Sequence, residues 1–299
     1  MRSVSAFSPC NVTGFFRIHD EPVEPVKVGS TGAAVSLSLG VTTHVKVRKT
    51  RKRRIRATFN SRPLPQGSVS TFVAGKYMEL ARETWSIDIA HRSRMPIGCG
   101  FGTSGAGALG LSLALNETVG SPLERSEAAQ LAHVADVVCR TGLGTVSSVY
   151  YGGLTLRIAP GAPGIGRVKT IRLPASARIA AGSFGPISTK RVLSSTRLKS
   201  RVNNCSERLL SRINRPHPES SFMRISRIFA DCLGLMSHRL EALVQKIDSI
   251  GLESSMAMLG ETAFCLGSDD DAARIAAIIR RANLTPIISP IAKSGAHLL

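Results

Sequence analysis

Six glycines stand among the fifteen residues of PIGCGFGTSGAGALG, which begins at Pro96. Thr103 and Ser104 lie between them, and an apolar helical pattern then runs to about Thr118. In a glycine-rich loop the backbone N–H groups can approach phosphate oxygens, and the helix that follows adds partial positive charge. Hydroxyls at 103 and 104 can cap that helix or contact phosphate and Mg²⁺. The stretch lacks the Gly-Lys-Ser/Thr ending of one common phosphate loop. It also lacks the acidic residue that a dinucleotide site places about 20 residues on. Taken alone, it reads either as a phosphate cradle or as a turn ahead of a packed helix.

The elements that must position this loop follow from periodicity. Residues 35–47 are rich in β-branched side chains and partly alternating, which predicts a strand; 70–81 has helical spacing; WSIDIA at 85–90 alternates cleanly. After the loop and its helix, Ser121 and Pro122 open a further helix through ERSEAAQLAHVADVVCR, and TGLG ends it. GLTLRI at 153–158 reads as a strand and PGAPGIG as a hinge. Beyond it, VKTIRL and ARIAAGSF read as strands, with helices at 188–193, 204–213, 221–250 and, briefly, 253–259. Strand 262–266, helix 269–281 and TPIISPI complete a β-α-β pattern. Such irregular alternation predicts an α+β protein with two lobes meeting near residue 160. SSTRLKSRVNNCSERLL reads as a polar, mobile surface segment.

The chain has 299 residues and a net charge of +19, a field that attracts nucleotides, small carboxylates or nucleic acid. KVRKTRKRRIR at 46–56 holds eight basic residues in eleven. Strand-like VTTHVKV and IRATF flank it, which predicts a hairpin with a solvated basic tip. No aromatic residue interleaves the charges, so specific nucleic-acid binding is not expected. The six cysteines form no CxxC and suit no zinc site, and their apolar surroundings predict reduced thiols. No apolar run is long enough to span a membrane, and residues 1–16 lack the continuous apolar core of a secretory signal. A cytoplasmic protein without membrane partners is expected.

Several stretches extend the reading of the loop. NVTGFF from Asn11, GSTGAAVSLSLGVTT from Gly29, AHVAD from Ala132 and TGLGTV from Thr141 keep a fixed order with it. PGAPGIG from Pro160, GPISTK from Gly185 and GLESSMAMLGETAF from Gly251 continue that order across nearly the whole chain. Together they resemble the GHMP kinases, small-molecule kinases that include galactokinase, homoserine kinase and mevalonate kinase. Within that superfamily they are most similar to the archaeal pantoate kinases. The resemblance implies a two-lobed GHMP fold, with a ribosomal-protein-S5-like N-terminal lobe over 1–165 and a ferredoxin-like α/β sandwich lobe over 166–299. It implies ATP-dependent phosphorylation of (R)-pantoate to 4-phosphopantoate, a step towards coenzyme A, with Mg²⁺ as cofactor. By analogy with the exposed β-edges of such lobes, it also implies a homodimer.

Carried over position by position, Gly98, Gly100, Gly102, Thr103, Ser104, Gly105, Ala106 and Gly107 would hold the triphosphate. Ser104 and Asp136 would meet Mg²⁺, and Ser30, His133 and Arg157 would line the pantoate side. His133 and Asp136 share one helical face, and the planar fork of Arg157 suits a carboxylate. Each also has a plain structural role open to it, as a helix, strand or turn residue. Met256 and Met258 read as core contacts beneath the nucleotide lobe. One position departs from the pattern: many GHMP kinases carry an aspartate at the fifth residue of TGLGT, and here it is Thr145. Threonine is no base near pH 7. This leaves a kinase that works by positioning and charge neutralisation, or a binding protein that turns over slowly. Another hydroxy acid as acceptor, or a nucleic-acid-associated role for the protein, also stays open.

Overall fold

The computed structural model describes residues 2–81, 84–213 and 217–299. Its N-terminal part is built on two long antiparallel strands, β1 (Arg2–His19) and β2 (Gly29–Lys49). Then come β3 (Arg54–Phe59), β4 (Arg62–Pro63), helix α1 (Val69–Ala81), β5 (Trp85–Ser93), α2 (Thr103–Thr118), α3 (Arg125–Val138) and α4 (Thr145–Tyr151). β6 (Leu154–Ala159) and β7 (Arg167–Ile171) complete this run. The second half holds β8 (Arg178–Pro186), α5 (Thr189–Ser194), α6 (Thr196–Ser206), α7 (Pro218–Leu233) and α8 (His238–Asp248). It closes with β9 (Ser255–Met256), β10 (Gly260–Gly267), α9 (Asp269–Arg281), β11 (Ile287–Pro290) and β12 (His297–Leu298).

Two sheets result, each carrying helices, as the α+β two-lobed expectation requires. The first runs β12-β1-β2-β5-β3-β4, with β6 and β7 continuing from β2. β2 is long enough to serve two neighbours on one edge: its first half pairs with β6 and its second half with β5. The second sheet runs β11-β8-β10-β9, with α9 packed on β8 and β10. β7 lies just past residue 165 yet pairs with β6, and β12, at the far end of the chain, pairs with β1. α2 is buried nearly all round, which explains its composition of Gly, Ala and Leu without a polar stripe.

Several local expectations are corrected. The basic run is not a hairpin, because β5 inserts between β2 and β3, pairing antiparallel with one and parallel with the other. Helix 221–250 is two helices: α7 stops at Gly234, whose φ of 58° is the left-handed cap, and Ser237 caps α8 by accepting from Leu240 N–H. The helix after the Ser121-Pro122 pair starts later, at a capping box between Glu124 and Glu127. The segment 253–259 is not helical: Ser255 and Met256 pair with β10, and Met258 and Leu259 then turn, with Leu259 at φ 66°. The polar stretch read as mobile contains α6, capped by Ser195. There the Asn203 side chain donates to the Ile18 carbonyl at 3.1 Å and accepts from the Ile18 N–H at 2.8 Å. Cys205 and Cys232 form a disulfide between α6 and α7, so two of the six thiols are not reduced. A separation of 27 residues carried no signal of that pairing.

Candidate active site

The glycine loop connects β5 to α2 and changes direction through Gly98, Gly100 and Gly102, all at positive φ. Gly102 is the N-cap of α2, at φ 63° and ψ 25°, and among the described residues no side chain caps the helix. Ala106 N–H donates to the Gly102 carbonyl and closes the first turn. The N–H groups of Thr103, Ser104 and Gly105 precede that turn and point out of the helix end, where anions bind. The C-terminal lobe holds the loop from the other side. Ile187 N–H donates to the Gly98 carbonyl at 3.1 Å, and Thr262 Oγ1 donates to the Cys99 carbonyl at 2.8 Å.

One cavity opens onto this helix end. Its wall includes Gly98, Gly100, Gly102, Thr103, Ser104 and Gly105, and also Ser30, Thr145 and Arg157. Ala106 and Gly107 fall inside α2 instead, Ala106 fully buried and Gly107 backed by the His91 ring. Met258 lines the cavity, while Met256 is core. The structure adds residues that spacing alone did not single out: Asn11, Thr13 and Phe16 from β1, Thr189 and Leu193 at α5, and Leu259. Asn11 and Thr13 lie in the NVTGFF motif, but the broken alternation of β1 gave no strand period that would single them out.

The five residues TGLGT lie between two buried charges. Thr141 Oγ1 donates to Asp136 Oδ1 at 2.5 Å. Gly142 lets the same carboxylate come close, since a Cβ there would stand 2.3 Å from Asp136 Oδ2. Gly144 does this for the other side: a Cβ would stand 2.3 Å from Ser30 Oγ and 2.7 Å from Arg157 Nε. Thr145 opens α4 and packs its methyl group against the Cα side of Gly102 and Gly105.

Arg157 is 2% exposed. Its Nε donates to the Ser30 carbonyl at 3.3 Å and its Nη1 to Ser148 Oγ at 2.7 Å. Among the described residues it has no acidic partner. Burial lowers its pKa to about 10, still far above neutrality, so the guanidinium stays charged. An unpaired buried cation is costly unless a ligand supplies the anion. Asp136 presents the mirror case. It is 1% exposed and just behind the cavity wall, and burial pushes its pKa up to about 6, opposed by the Thr141 hydrogen bond. His133 lies one turn earlier on α3 but does not reach the cavity. Its Nε2 donates to the Val28 carbonyl at 2.8 Å, and burial holds its pKa below the ordinary value. It ties α3 to the entry of β2, two residues ahead of Ser30, and supports the site from behind.

Residues 71–153, which include the loop and α2, match the GHMP kinases N terminal domain. A pantoate kinase of Thermococcus kodakarensis is 33% identical over 96% of this chain and 95% of its own. A pantoate kinase of Methanospirillum hungatei is 31% identical over 88% of this chain and 87% of its own. The chain belongs to the pantoate kinase family. Among solved structures, a phosphotransferase related to the coenzyme A biosynthesis pathway superposes with a TM-score of 0.87, at 30% identity, covering 100% of this chain and 99% of that one. A homoserine kinase from Cytophaga hutchinsonii shares the fold, with a TM-score of 0.73 at 16% identity over 100% of this chain and 98% of that one. As a member of the pantoate kinase family the protein is an ATP-dependent kinase, and its uncapped helix end and unpaired guanidinium face one cavity.

Proposed function

We propose that the protein transfers the γ-phosphoryl group of ATP to the 4-hydroxyl of (R)-pantoate, giving 4-phosphopantoate and ADP. The observation that carries this reading is the buried Arg157 in the same cavity as the uncapped N-terminus of α2. The helix end suits phosphate; the guanidinium suits a carboxylate on a small acceptor. Thr103, Ser104 and Gly105 N–H groups hold phosphate oxygens, Arg157 pairs with the pantoate carboxylate, and Ser30 offers a hydroxyl beside it.

The Ser104 hydroxyl and the Asp136 carboxylate are hard oxygen donors, a set that fits Mg²⁺ together with phosphate oxygens and water. When bound, the cation neutralises charge on the phosphates. With no base at 145, the rate enhancement rests on positioning and on charges fixed in advance. Among the described residues no helix is long and apolar enough to cross a membrane. We place the protein in the cytoplasm. Among the described residues β7 pairs only with β6, and its other edge suits pairing between two copies.

A coupled ADP assay across a small panel of hydroxy acids tests the reading. ADP release should need ATP, Mg²⁺ and pantoate together and should collapse in Ser104→Ala and Asp136→Asn. Turnover with homoserine or mevalonate but not pantoate would reassign the acceptor. Full activity in both variants would overturn the site.

A further inference from the structure

The position where an aspartate was expected, Thr145, has a polar neighbour that nothing above employs. Asn11 is 1% exposed and lines the cavity. Its backbone is tied to the glycine loop, with N–H donating to the Phe101 carbonyl at 3.1 Å. Its Oδ1 lies 2.1 Å from the point where a Cβ on Gly102 would stand, and the Thr145 methyl lies 2.7 Å from that same point. The amide and Thr145 therefore meet over the N-cap of α2, where the helix presents its free N–H groups.

The amide is also underused. Its Nδ2 reaches Thr13 Oγ1 only at 3.5 Å, the outer limit of a hydrogen bond, and Oδ1 has no partner among the described residues. With its oxygen open to the cavity and not sealed in the core, the amide is free to accept a hydrogen bond from a ligand. Glycine at 102 serves this arrangement twice: it accepts a left-handed turn, and it leaves room for the Asn11 carbonyl.

We propose that Asn11 orients the acceptor hydroxyl, at the place an aspartate at 145 would otherwise serve. Asn11 Oδ1 accepts the hydrogen bond of the hydroxyl and aims an oxygen lone pair at the γ-phosphorus. The acceptor oxygen bonds to that phosphorus as the bond to the β,γ-bridging oxygen breaks, its electron pair leaving with ADP. An amide cannot take the proton. The proton passes to solvent or to the transferred phosphoryl group once the new bond is largely made, as a loose transition state permits. This inference rests on the kinase reading above.

The test uses Asn11→Leu and Asn11→Ala, the second leaving space where the first crowds its neighbours. Either variant that melts like the wild type is read for kcat, for KM of pantoate and for binding of a non-hydrolysable ATP analogue. The expected result is a loss of kcat of about 30-fold or more, with analogue affinity within about threefold. Adding Thr145→Asp to the Asn11 variant should restore about tenfold or more of that loss, which repair of mere packing would not do. If kcat stays within about threefold of wild type, the proposal is overturned. A loss of kcat and analogue affinity together, without rescue by Thr145→Asp, also overturns it and makes Asn11 a support of the loop. Failure of both variants to fold, with Asn11→Asp folded and no more dependent on residue 145 than wild type, overturns it as well. Absence of pantoate-dependent ADP release in the wild type would instead sink the kinase reading.

Discussion

Replacing Asp136 with asparagine should stabilise the metal-free protein while abolishing its chemistry. Asp136 is buried, with one side-chain hydrogen bond from Thr141 and no cation beside it among the described residues. Burial raises its pKa from 3.8 to about 6. The folded-state value lies above the unfolded one, so the stabilising contribution is full below about pH 3.8 and is lost as pH rises through about 6. At about 1.4 kcal/mol per pH unit, ionised Asp136 costs the folded protein about 3 kcal/mol at pH 8. Asparagine keeps an oxygen to accept from Thr141 and carries no charge. In EDTA at pH 8, Asp136→Asn should therefore melt about 5 °C above the wild type, and near pH 4 the two should converge. Differential scanning calorimetry across that pH range reads the difference directly. An asparagine variant that is no more stable at pH 8, or whose advantage does not change with pH, would refute the reasoning. The stability gain and the loss of turnover would together mark a residue kept for what it binds.

Three further outcomes follow from the same geometry. Arg157→Gln should raise KM for pantoate about 100-fold, the scale of a lost charge-assisted hydrogen bond, while leaving ATP-analogue affinity nearly unchanged in a titration. Thr145→Asp in the wild type should change kcat by less than about tenfold, because Asn11 already orients the acceptor; a larger gain would show a missing base. The Cys205–Cys232 disulfide closes a separation of 27 residues, so Cys205→Ser should lower stability by about 3 kcal/mol in oxidising buffer. Thiol counting on the unfolded wild type should find four free cysteines, and denaturation curves should show the loss vanish under reductant.

Much of the fold was legible where one element has one job. Helix 269–281 has three acids in its first turn, arginines in its last and a serine cap, and it forms at the expected residues. The glycine loop was legible because six glycines and two hydroxyls leave few alternatives. β1 was not, because Pro9 and Gly14 break its alternation at two register shifts. The insertion of β5 between β2 and β3 was not, since strand order is set by packing and not by neighbours in the chain. At the site, Arg157 and Asp136 could be named, but not that TGLGT would hold them apart with a glycine facing each. The resemblance carries His133 to the substrate side, and the helical face it shares with Asp136 does not distinguish a cavity wall from the Val28 carbonyl that its Nε2 meets. Asn11 escaped because its partner across the site, Gly102, is about ninety residues on.

Phosphorus-31 NMR of the purified protein with ATP, Mg²⁺ and (R)-pantoate tests the central claim most directly. Pantoate phosphorylation predicts a new phosphomonoester resonance, coupled to the protons of pantoate carbon 4, growing in step with ADP and absent when any component is omitted. ATP left intact, or converted only to ADP and inorganic phosphate, would contradict it.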